Sequence, residues 1–205
     1  MPEAWCENPN VTSRDVSAAT PHTPTIDAVI AATTTWLERA VIGLNLCPFA
    51  KAVHVKRQIR YVVSDAATPE ALADALVQEL EFLAEANADA IDTTLLIHPH
   101  VLHDFLDFND FLEVADGIVE ELELDGLLQV ASFHPHFQFE NTEPDDITNY
   151  TNRSPYPTLH LLREDSVERA VAAFPGDLEI ASANITALEK LGHDGWNALN
   201  IPVSD

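Results

Sequence analysis

Two apolar runs in this sequence end in the same dipeptide, Ile97-His98-Pro99 and Phe133-His134-Pro135. Imidazole is the side chain best suited to general acid–base work near neutral pH, and in its neutral form it is a common metal ligand. If both runs are strands of one parallel sheet, both histidines reach its carboxyl edge, where open α/β sheets hold ligands. The plainer alternative is that each histidine caps its strand by bonding to backbone. His100 and His103 follow His98, and His136 follows His134, which invites a metal reading. Against that reading, Pro99 ends the strand on which His98 and His100 would share a side. No CxxC pair, HExxH or EF-hand loop is present.

Cys47 sits just before Pro48, in a turn between a predicted helix and a predicted strand. It is either a buried structural thiol or a nucleophile, redox thiol or ligand activated by a nearby cation. Lys51, Lys56, Arg57 and Arg60 are the cations close to it in sequence. Cys47, His98 and His134 form the candidate catalytic set. In a zinc-assisted or other divalent-metal version, they would be three ligands that leave one position open. A second cluster lies at 148–157, where Asn149, Asn152, Arg153 and Tyr156 offer polar side chains among stiffening prolines. A guanidinium there suits bidentate recognition of a carboxylate or phosphate. Otherwise it pairs with local acids such as Asp145 and Asp146. Arg60, Asn149, Asn152, Arg153 and Tyr156 are therefore the candidate substrate-binding residues. Nucleotide motifs (GxGxxG, GxxxxGK[ST]) and the nucleophile elbow GxSxG are missing, and the chain has only six glycines.

The elements that must position these residues follow from periodicity. Val29, Thr33, Trp36, Leu37, Ala40 and Val41 predict a helix over 26–43. Val55, Ile59, Tyr61 and Val63 alternate with Lys56, Gln58 and Arg60, which predicts a strand with one wet face. Thr68-Pro69 reads as a helix start, and Leu72, Leu76, Leu80 and Leu83 form the stripe of a helix ending near 86. Strands are expected at 93–97, 127–133 and 158–162, and helices at 104–124, 166–174 and 177–191, with Gly192 as a stop. His160 lies on the opposite side of its strand from Leu159 and Leu161 and is expected to be exposed. The segment 138–157 is a long loop. This order predicts an α/β fold, with α+β as the alternative. A small three- to four-stranded mixed sheet with parallel βαβ crossovers would be packed by about five helices. Residues 1–24 read as a polar tail and 25–205 as a single globular domain.

Charge narrows the function. The 205 residues carry 10 Lys+Arg against 34 Asp+Glu, a net −24. No Lys or Arg occurs from Tyr61 to Asn152. A polyanion binder needs cations to release counterions, so nucleic acid and anionic membranes are disfavoured as partners. Hydrophobic residues at 46 % supply a core. No run approaches the roughly 18–20 apolar residues of a membrane helix. Two cysteines and the lack of a secretory signal point to the cytoplasm. The cations at 51–60 and 153–169 flank the cation-free span. If the fold joins them, they make a positive spot fit for a small anion.

The blocks WLERAVIGLNLCPFAKAVHV (36–55), TTLLIHP (93–99), DFLDFNDFLEVAD (104–116), LQVASFHP (128–135) and TNYTNRSPYPTLHLLRE (148–164) resemble the family known as domain of unknown function 1415, over about residues 26–197. The resemblance implies a bacterial, intracellular, single-domain protein and carries no established activity. Its pattern includes the positions of Cys47, His98, His134, Asn152, Arg153 and Pro155. The reading that combines these signals is a small cytosolic enzyme acting on an anionic small molecule by hydrolysis or group transfer. Alternatives are a non-catalytic metabolite-binding or regulatory module, or an interaction protein that uses the acidic helix 104–124.

Overall fold

The computed structural model describes residues 24–172 and 180–202. Residues 1–23 of the predicted tail lie outside it, as does 173–179, where one predicted helix was to end and the next to begin. Helix α1 (Ile26–Trp36) starts at Thr25, whose hydroxyl accepts from the Ala28 N–H at 3.3 Å. It widens into a π-helical segment (Leu37–Ile42). The order continues α2 (Ala50–Val55), β1 (Ile59–Val63), α3 (Pro69–Glu85), β2 (Thr93–Ile97), α4 (Phe105–Glu121), β3 (Leu128–Phe133), a 3-10 turn (Ile147–Thr151), β4 (Thr158–Arg163), α5 (Glu164–Ala172) and α6 (Ile180–Ala198). Six α-helices and four strands are thus present among the described residues.

Two expectations are corrected and one is met. The alternation that begins at Val55 is not one strand, because 50–55 is helical and Val55 is 72 % exposed. A six-residue helix is too short for a 3.6-residue period to show in sequence. Arg57 then turns the chain through a positive φ of 60° into β1. Gly192 stops a helix as expected: at φ 64° and ψ 176° it is non-helical, and α6 is two helical pieces that meet there at a kink. His160 is half-buried, because its register with Leu95 and Tyr61 puts it on the sheet face covered by α1 and the π-helical segment.

The sheet order is β1-β2-β4-β3. β1 and β2 are parallel, while β4 runs antiparallel to both its neighbours. β1, β2 and β3 therefore point the same way, with β4 inverted between β2 and β3. Helices α3 and α4 cover one face. There Leu72, Leu76, Leu80 and Leu83 pack with Phe108, Phe111, Ala115, Leu96, Leu159 and Leu161. Each fully buried side chain of this size is worth about 1.5–3 kcal/mol of transfer free energy. Trp36, Leu37, Ala40, Val41 and Ala50, from α1, the π-segment and α2, cover the other face. With both faces covered, all five residues of β2 are buried, which accounts for its lack of an apolar–polar alternation.

Candidate functional site

His98 and His134 follow β2 and β3, so they share the carboxyl edge of the co-directional strands. The chain arriving at β4 passes them: Pro157 O accepts the His98 N–H at 3.0 Å, and Asn152 O accepts the His134 N–H at 3.1 Å. Both rings turn to the α3/α4 face. His98 stacks on Phe108 at 5.7 Å between centroids, and His134 lies 5.0 Å from the same ring. His98 Nδ1 donates to Val101 O at 3.1 Å, leaving Nε2 unprotonated, buried and without a hydrogen-bond partner. His134 Nδ1 accepts the His136 N–H at 3.0 Å, so its proton sits on Nε2 and goes to Leu102 O at 3.2 Å. Burial pushes both imidazoles down to about 4, and both are neutral at physiological pH. Among the described residues, no group of three or more His, Cys, Asp or Glu side chains is placed to hold a metal ion.

Cys47 is on the opposite face of the sheet. It packs with the cluster of Trp36, Leu37 and Ala50, beside Ile59 and Phe133. Phe133 ends β3 and packs with the Trp36 cluster, while His134, the next residue, points to Phe108 on the opposite face. The sheet thus separates Cys47 from the two histidines, and the three do not converge on one ion or one substrate atom. Cys47 instead shares a cavity of about 40 Å³ with His160, Thr93, Trp36 and Phe133. The Thr93 hydroxyl donates to Leu161 O at 2.6 Å and accepts from His160 Nε2 at 2.8 Å. Burial pushes His160 down to about 4 and raises the Cys47 thiol, an effect that N–H groups of Ala50 and Phe49 partly offset.

The remaining candidates are held by the protein itself. Arg60 forms a bidentate pair with Glu79, at 2.8 and 3.0 Å, and lies 4.3 Å over the Phe82 ring. Arg153 donates from Nε to Phe137 O at 3.1 Å and from a terminal nitrogen to Pro144 O at 2.5 Å, with its guanidinium 4.5 Å from the Tyr150 ring. Buried Asn149 accepts from the Phe139 N–H and the Thr142 hydroxyl, and donates to Glu143 O. Asn152 donates to Ser132 O at 3.3 Å. Tyr156 packs on Val29, Leu95 and Ile97. These contacts organise the 134–157 loop.

An open cleft lies at the other end of the sheet. Because β4 is inverted, it delivers α5 to the amino-terminal edge of β1 and β2. A cleft of about 590 Å³ opens there. Its lining includes Asn45 and Lys56 beside α2, Gln58 and Asp92 at the starts of β1 and β2, and Ser166 and Arg169 on α5. Gln58 is buried and anchors the floor. Its side-chain amide donates to Ala88 O and Asp89 O, both at 3.0 Å, and its backbone carbonyl accepts the Asp92 N–H at 2.9 Å. The Ser166 hydroxyl donates to Asp92 Oδ1 at 2.7 Å, and Arg169 donates to Ser166 Oγ at 2.7 Å. Arg163 Nε stands 3.9 Å from the same carboxylate oxygen, while its terminal nitrogen donates to Leu83 O and Ala86 O at the end of α3. Lys56 and Arg169 are both exposed at the cleft, so it carries two cations.

A family model described as "Protein of unknown function (DUF1415)" matches residues 28–198. The chain belongs to this family. No curated protein and no solved structure matches it. In this DUF1415 chain no described helix is long and apolar enough to cross a membrane.

Sequence reasoning did not single out Asp92, Ser166, Gln58 or Asn45. Asp92 is one of 34 acids, and Ser166 occurs in no motif. The one available signal for the DUF1415 cleft was the placement of the cations. Lys56 and Arg169 belong to the two groups that flank the cation-free span.

Proposed function

We propose that the protein acts on a small anionic molecule, a carboxylate or a phosphate, by hydrolysis or group transfer in the cleft between α2 and α5. The observation that carries this reading is the meeting of Lys56 and Arg169 on one cleft in a protein of net charge −24. Two cations lining one concavity focus a local positive field that the rest of the surface opposes. The volume suits a small molecule, for which pockets of about 300–1,000 Å³ are usual. It is far too small for a nucleic-acid groove. The polar floor of Gln58, Asp92 and Ser166 supplies orientation, and the wall of Phe49, Val53 and Ala170 takes apolar parts of the ligand.

Isothermal titration with inorganic phosphate and with succinate tests the reading. The wild-type chain is expected to bind at least one of them, and Lys56→Ala with Arg169→Ala together to weaken that binding at least tenfold. Failure of the wild-type chain to bind either anion, or unchanged affinity in the double variant, overturns it.

A further inference from the structure

We propose that Ser166 is a nucleophile and Asp92 its general base, for acyl transfer from an ester that carries an anionic group. The proposal rests on the reading of the cleft as an anion site and names the chemistry there.

Three observations carry it. The Ser166 hydroxyl already points its proton at a carboxylate oxygen 2.7 Å away, the geometry by which a base activates an alcohol. Both partners are buried, Ser166 at 4 % and Asp92 at 8 % exposure, yet both line the cleft, so a bound substrate reaches them away from bulk water. Arg169 donates to Ser166 Oγ at 2.7 Å, and a cation bonded to that oxygen favours loss of its proton. Structural duty alone explains these contacts less well. α5 is held on the sheet by Val167 and Ala170 packing with Phe49, Val53 and Leu162, without need of a hydroxyl–carboxylate pair.

The reaction balances with water as the only co-reactant. Ser166 Oγ bonds to the acyl carbon while its proton passes to Asp92. The ester C–O bond then breaks, and the departing alcohol takes that proton. Water next attacks the acyl carbon and gives a proton to Asp92. The bond between Oγ and the acyl carbon breaks, and Oγ recovers the proton. Ester and water become acid and alcohol.

The test treats the full chain with an alkyl fluorophosphonate and maps the adduct by mass spectrometry. A single adduct is expected on Ser166, formed as P–O replaces P–F. It should be absent in Ser166→Ala and form at least tenfold more slowly in Asp92→Asn. The chain should also release nitrophenolate from 4-nitrophenyl hemisuccinate, and Ser166→Ala should abolish the release. Ser166→Cys preserves the shape of the buried site, and its retention of whichever anion the wild-type chain binds, phosphate or succinate, shows that the cleft is folded. No adduct on Ser166, or a wild-type labelling rate in Asp92→Asn, overturns the nucleophile. If phosphate or succinate still binds in that case, the anion cleft stands and only this inference falls.

Discussion

His98 and His134 close two different strands, yet their ring N–H groups bond to successive carbonyls of one loop, Val101 O and Leu102 O, with the Phe108 ring against both. The pair ties β2, β3 and the entry to α4 together. Leu102 holds a positive φ of 56° there, a backbone conformation that a leucine adopts only under such constraint.

This pair makes stability depend on pH. The native imidazoles titrate near 4, against 6.5 for an unperturbed histidine. As the pH falls below 6.5 the unfolded chain takes up protons that the native chain refuses until about 4. Stability is therefore complete above 6.5 and is lost as the pH falls from 6.5 toward 4. For fully buried His98 the loss is about 3 kcal/mol. Urea unfolding at pH 7.5 and pH 5 should show about 2 kcal/mol of it, and His98→Gln should remove that share while leaving the contributions of His134 and His160. Equal stability at the two pH values would contradict the neutral assignment.

Phe108→Ala should cost about 3–5 kcal/mol, because it opens a cavity in the α3/α4 core and strips the ring from both histidines. Thermal and urea denaturation read this directly. A loss under about 1 kcal/mol would mean that the site collapses around the gap.

Cys47 should alkylate slowly in the native state. Its thiol is half-buried and its pKa is raised by burial, so little thiolate forms near pH 8. In a Cys6→Ser background, the rate with iodoacetamide should rise at least tenfold in denaturant. Cys47→Ala should leave phosphate and succinate binding unchanged, and a lost affinity would tie the thiol to the cleft.

Arg153→Ala should loosen the 134–157 loop and speed limited proteolysis within it. Lysine should not restore protection, because one ammonium does not reproduce a fork that reaches Phe137 O and Pro144 O at once. Equal protection in Arg153→Lys and the wild type would show that charge alone suffices.

Much of the fold was legible from spacing. The leucine stripe of α3, its Thr68-Pro69 start and the buried run of β2 stand where periodicity and capping chemistry put them. So does the co-direction of β2 and β3, which brings the two histidines to one edge. α2 was illegible because six residues mimic an alternating strand. The direction of β4 was illegible because an apolar run reads alike both ways.

By itself, the sequence determined the amphipathic helices, the apolar strands and a charge map in which few cations flank a long acidic span. These are local properties of spacing and composition. Which cations share a space was decided only by tertiary structure. Inverting β4 carried α5 to the amino-terminal edge of the sheet, so Arg169 and Ser166 meet Lys56 and Asp92 there. The pleat sent Cys47's neighbour Phe133 and the adjacent His134 to opposite faces, and so divided one expected site between two sides of the sheet. Strand direction and facing arise from pairing between distant segments, and no local pattern encodes that pairing.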